Sequence, residues 1–96
     1  MNVEKTVNGS LAVLKPEGWL DTQTSPELEA VVNSLGEEVT DVILDLEKLE
    51  YISSAGLRLV VSIYKKMKSL KIKNVSPEIM EIFKLTGFDK RLDIEA

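Results

Sequence analysis

The chain has 96 residues, with 16 Asp and Glu against 12 Lys and Arg and a formal net charge of −4. That length fits one domain with a modest core, burying somewhat over about 60% of the surface exposed by the unfolded chain. Cysteine and histidine are both absent, which excludes disulfides, thiolate chemistry and the commonest general base and metal ligand.

At the N-terminus, Val3 to Val7 and Leu11 to Lys15 read as two short strands around Asn8-Gly9-Ser10, where Asn-Gly is a strong two-residue hairpin signal. The apolar run from Leu11 to Leu14 is too short for a signal peptide, and nothing approaches the roughly 20 residues of a membrane span. A soluble, cytoplasmic protein is expected. Pro16-Glu17-Gly18 breaks the second strand, and Trp19 and Leu20 lead into a polar turn. For Trp19, packing beneath the hairpin is preferred over a role as partner anchor. Ser25 before Pro26 reads as a cap and first-position pair. Leu28, Val31, Val32 and Leu35 then repeat at helical spacing until Gly36.

Val42 to Leu46 is apolar except for Asp45, as in a central strand covered on both faces. A short connection holding Tyr51-Ile52 follows. Ser53-Ser54 and the small pair Ala55-Gly56 then open a second helix. Leu57, Val60, Val61, Tyr64 and Met67 form its stripe, widened by Leu59 and Ile63. Leu70 to Val75 alternates as a strand. Ser76-Pro77 caps a third helix carrying Ile79, Ile82 and Phe83, which ends at Gly87 with Phe88 folding back on it. Leu92 to Ile94 can add an edge strand. The order β-β-α-β-α-β-α predicts a single α/β domain over residues 1–96, with a mixed sheet of four to five strands and three to four helices.

The serines carry the chemistry. The first N–H groups of a helix lack partners within it, and the macrodipole places partial positive charge there, so this end favours an oxygen acceptor or an anion. A serine at that position is a cap, contributing about 1 kcal/mol, or a switch. Gly56 speaks for the second reading, because glycine in a first turn costs about 1 kcal/mol and leaves a bare entrance that suits close approach by another surface.

The run DVILDLEKLEYISSAGLRLVVSIYKKMK, from Asp41, resembles the central signature of the STAS domain family, the sulfate-transporter and anti-sigma factor antagonist fold. The resemblance continues through GWLDTQTSPELEAVV (Gly18 to Val32) and NVSPEIMEIFKLTGFDK (Asn74 to Lys90). It implies the same α/β architecture and an anti-sigma factor antagonist whose loop serine, matched here by Ser54, is phosphorylated by a partner kinase. The implied partners are an anti-sigma factor serine kinase and a serine phosphatase. Ser53 stands where bacterial antagonists often carry an acid, and Ala55 where they often carry a second Ser or Thr. Asp21 matches the acid of the family's GxLD segment, near the serine loop. The expected partner surface is Asp21, Ser53, Ser54, Ala55, Gly56 and Arg58, the last added for its place in the first turn of the helix. The family's longer connection after the second helix is replaced by Lys68-Ser69, so a shortened helix and a tight connection are expected.

Other residues admit structural readings. Asp21 suits an Asx-type turn as well as a partner surface. Asp45, at the end of the central strand, suits bonds to loop N–H groups. Arg58 opposes the dipole in the first turn, so it pairs with an acid nearby or with a phosphate on Ser54. The basic run Lys65, Lys66, Lys68, Lys71 and Lys73 reads as a solvated helix end, and overall acidity argues against nucleic acid. Without histidine, no base is placed beside a serine nucleophile, so neither enzyme activity nor any cofactor or metal is expected. A non-switching scaffold, or a subunit of a stress-signalling or lipid-transport assembly, is the alternative function.

Overall fold

The computed structural model describes residues 1–96. Val3–Asn8 (β1) and Leu11–Pro16 (β2) pair antiparallel with Asn8 opposite Leu11, so the turn residues are Gly9 and Ser10. Gly9 sits at φ 63° and Ser10 is not left-handed. Glycine at the first central position is what a type II′ turn requires, in place of the Asn-Gly arrangement that the sequence suggested.

Asp41–Asp45 (β4) lies in the middle of a five-stranded sheet of order β1-β2-β4-β6-β7, where β6 is Ser69–Lys73 and β7 is Asp93–Ile94. Only the hairpin is antiparallel; β2-β4, β4-β6 and β6-β7 run parallel. Register stacks Ala12 and Leu14 beside Val42 and Leu44, and these beside Leu70 and Ile72, all buried. On the opposite face Val13, Ile43 and Lys71 are half-buried. The central strand therefore alternates, with one face in the core. The apolar run had suggested cover on both faces, but Ile43 lies half-buried on the other one.

Three helices complete the fold: Ser25–Asn33 (α1), Ser54–Lys66 (α2) and Pro77–Thr86 (α3). Helix α1 packs on α2, α2 on β6 and α3 beside the site segment described below. Helix α1 ends before Leu35, and its N-cap is Thr24 rather than Ser25. The Ser25 hydroxyl is buried without a hydrogen-bond partner. Helix α2 buries Leu57, Leu59, Val60 and Ile63, while Tyr64, expected on the stripe, is 45% exposed. Ser76 caps α3 by accepting from the Ile79 N–H at 3.3 Å, and left-handed Gly87 ends it.

Only Met67 and Lys68 separate α2 from β6, and both the Lys68 and Ser69 N–H groups donate to the Thr40 carbonyl, at 2.9 and 3.3 Å. The expected tight connection is thus tied down by two hydrogen bonds.

Candidate functional site

Two short segments that read as connections in the sequence are strands. Gly18–Leu20 (β3) and Leu49–Ile52 (β5) pair in parallel as a separate two-stranded sheet, with Trp19 opposite Tyr51 and Leu20 opposite Ile52. Helices α2 and α3 both pack on β5. Parallel pairing brings the two C-terminal ends together, the usual place for sites in α/β folds. One end leads into Asp21 and the other into Ser53 and Ser54. The Ser53 N–H extends the pairing by donating to the Leu20 carbonyl at 2.9 Å.

Gly56 follows from the same carbonyl. A Cβ at this position would lie 2.7 Å from the Leu20 oxygen and 2.8 Å from Ile52 Cγ1. Gly56 is buried. The close approach that its missing side chain allows is therefore made inside the chain, between α2 and β3, and not by an outside surface as the sequence suggested.

The two serines divide the roles. Ser53 has extended backbone, φ −94° and ψ 177°, and its Oγ accepts from the Gly56 N–H at 3.3 Å. It is the N-cap of α2. Ser54 is the first helical residue, exposed, and its hydroxyl makes no hydrogen bond within the chain. Gly56 N–H goes to the Ser53 side chain and Leu57 N–H to the Ser53 carbonyl, leaving the Ser54 and Ala55 N–H groups without an acceptor in the chain. Those two donors and the helix dipole give this end its affinity for negative charge.

Asp21 organises the facing turn. Its Oδ1 accepts from the N–H groups of Gln23 and Thr24 at 2.9 and 3.0 Å, and Thr24 Oγ1 accepts from the Asp21 N–H at 2.9 Å. The Thr24 hydroxyl donates to the Trp19 carbonyl at 2.6 Å, which explains why Thr24 does not cap α1 with its side chain. The Thr24 N–H bond, foremost, holds the Asp21 carboxyl below the usual aspartate range. Asp21 is thus a turn former beside the serine loop, half-buried.

Trp19 is 58% exposed, and its ring meets that of Tyr51, 41% exposed, at a centroid distance of 5.1 Å. Sequence reasoning placed Trp19 beneath the hairpin. Residue alternation in β3 turns Leu20 into the core and Trp19 outward. Arg58, one turn after Ser54, is exposed and belongs to none of the ion pairs. Between α1 and α2, a cleft of about 290 Å³ runs past Thr22, Ser25 and Glu29 on one side and Ala55, Arg58 and Ser62 on the other. Asp45, in contrast, is 7% exposed and bonded structurally, its Oδ1 accepting from Asn74 Nδ2 at 2.9 Å and the Glu47 N–H at 3.1 Å.

The STAS domain model matches residues 2–96. The chain belongs to the STAS domain family. A similar STAS protein is the anti-sigma-B factor antagonist of Staphylococcus aureus, 36% identical over 92 residues, covering 91% of this chain and 85% of that one. The anti-sigma-B factor antagonist of Bacillus subtilis is 29% identical over 100 residues, covering the whole of this chain and 92% of that one. Among solved structures, the fold is similar to the anti-sigma factor antagonist SpoIIAA in its unphosphorylated form. There the TM-score is 0.83 at 20% identity, with 99% of this chain and 88% of that one covered. The match extends to SpoIIAA, a Bacillus cell fate determinant, in the phosphorylated form, with TM-score 0.75 and coverage of 99% and 91%. The mixed sheet and three helices described above are those of a single STAS-like α/β domain. No helix of this STAS chain is long and apolar enough to cross a membrane.

Proposed function

We propose that this protein is an anti-sigma factor antagonist that binds an anti-sigma factor serine kinase and is switched off when that kinase phosphorylates Ser54. The observation that carries the proposal is the exposed Ser54 hydroxyl at the first position of α2, free because Ser53 does the capping. The relatives named as anti-sigma-B factor antagonists support it, as does the existence of a phosphorylated form of SpoIIAA on this fold.

In the proposed step the Ser54 Oγ attacks the γ-phosphorus of ATP. The new Oγ–P bond replaces the bond to the β-phosphate oxygen, ADP leaves, and the hydroxyl proton passes to a base of the kinase. The product carries about −1.5 to −2 charges. Free Ser54 and Ala55 N–H groups and the dipole tolerate it locally, so the domain stays folded. A docked partner does not tolerate it: a desolvated phosphate costs several kcal/mol, and each 1.4 kcal/mol is tenfold in affinity. A serine phosphatase then restores the binding form by hydrolysing the phosphoester.

Asp21, Ser53, Ala55 and Arg58 surround the serine on the proposed docking face, and the exposed Trp19–Tyr51 pair extends it. Aromatic anchors of this kind dominate interface energies. The test is incubation with the cognate kinase and ATP, location of phosphate by mass spectrometry, and affinity measurements on two variants. Ser54→Ala is expected to bind the kinase without responding to ATP, and Ser54→Asp to lose binding by at least about a hundredfold, or 2.7 kcal/mol. Phosphate found elsewhere with Ser54 unmodified overturns the assignment. Unchanged binding by both variants points to a non-switching scaffold instead.

A further inference from the structure

The outward face of α2 continues from Ser54 through Arg58 and Ser62 to Lys65, and beyond Arg58 it borders a groove of about 470 Å³. The groove is lined by Arg58, Val61, Ser62, Lys65, Phe88 and Arg91, three cations with no carboxylate among them. Phe88 and Arg91 come from the 3₁₀ turn Phe88–Lys90 and the residue after it. On a chain of net charge −4 this is a local reversal of sign.

Three of the twelve Lys and Arg are ion-paired, and the groove cations are among the nine that are not; what sets these three apart is that they line one groove. Lys15 meets Glu47 at 3.1 Å, Lys48 meets Glu17 at 3.3 Å and Lys71 meets Glu95 at 3.3 Å. Arg58, Lys65 and Arg91 take part in none of the ion pairs. Arg91 is nevertheless positioned, with its guanidinium carbon 5.8 Å from the centre of the Phe88 ring. Stacking of that kind leaves the planar donor edge free for a carboxylate. Arg58 and Lys65 lie seven residues apart, about 10 Å along the helix axis.

We infer that this groove receives an acidic segment of a protein partner, its carboxylates meeting Arg58, Lys65 and Arg91 while an apolar side chain rests on Phe88 and Val61. The inference extends the reading of Ser54 and relies on it only for whose segment this is. Nucleic acid fits less well. Three cations neutralise only a short stretch of phosphate backbone, and the chain as a whole is acidic, with a net charge of −4.

The test uses the unphosphorylated chain without any kinase, so its failure is separate from failure of the switch. A hexaglutamate peptide is titrated into the ¹⁵N-labelled protein at low salt. Amide shifts are expected to concentrate at Val61, Ser62, Lys65, Phe88 and Arg91, and to shrink at about 0.15 M salt, where the screening length is about 8 Å. Lys65→Gln with Arg91→Gln is expected to weaken binding about tenfold, with each single variant in between. Both side chains are exposed, and the amide spectrum reports folding directly. Absent shifts, shifts spread over the Lys66 to Lys73 lysines, or binding unaffected by the substitutions would each overturn the inference. Equal affinity of a short DNA strand for the same residues would also overturn it, since the groove would then not prefer protein.

Discussion

Ser53 and Ser54 are chemically identical and adjacent, yet only one of them is bonded to the helix it opens. Replacing the cap, Ser53→Ala, is expected to cost about 1 kcal/mol of stability. Ser54→Ala, which removes no hydrogen bond, should stay within about 0.5 kcal/mol of wild type, and Ser54→Asp should gain slightly from the dipole. Urea denaturation of the three variants checks this order, and a larger loss at Ser54 than at Ser53 would reverse the assignment. Residue type and spacing could not separate the pair, because serine is acceptable at either position, and only the family resemblance singled out Ser54. The decision lies in where the extended backbone turns helical, and the pairing of Ser53 N–H with Leu20 sets that point.

Long elements with a clear period were readable: the hairpin, the three helices and the central strand all form where apolar spacing and turn residues put them, apart from the ends of α1, which is capped by Thr24 and stops short of Leu35. The short β3–β5 pair was not readable. Three and four residues are too few to show a period, and Leu49-Glu50-Tyr51-Ile52 buries only its end residues. The same omission misplaced Trp19, since its outward direction follows from the pairing with Tyr51. Gly56 gives the pair its sharpest test. Gly56→Ala would force a methyl to 2.7 Å from the Leu20 carbonyl, so despite alanine's better helix propensity it is expected to destabilise the fold by about 1–3 kcal/mol. Thermal unfolding checks it, and a stabilised variant would show that α2 does not seat on β3 as described.

Across the whole molecule, acid stability depends on Asp45, which ties the central strand to β2 and to the end of β6. Burial alone would raise its pKa, but bonds from Asn74 and the Glu47 N–H, with the charges of Lys15 and Lys73, outweigh it and hold the carboxyl below its usual range. A depressed folded-state pKa means stabilisation that is present above the unfolded value of about 3.9 and lost as pH falls through the folded one. Asp21 contributes with the same sign. Asp45→Asn is expected to lose about 1–3 kcal/mol at pH 7 and to show a shallower further decline below about pH 4. Urea midpoints at pH 7 and pH 3 measure both. The structural reading of Asp45 was available from its place after an apolar run, whereas its partner Asn74, left-handed at φ 57°, lies 29 residues on and carries no local signal.

The two-residue link of Met67 and Lys68, pinned at the Thr40 carbonyl, bears on how a message could leave Ser54. Both ends of α2 are thus tied to the rest of the fold, the far end at Thr40 and the near end at Leu20. On the proposed reading of Ser54, a charge added there therefore acts first on whatever rests on that face.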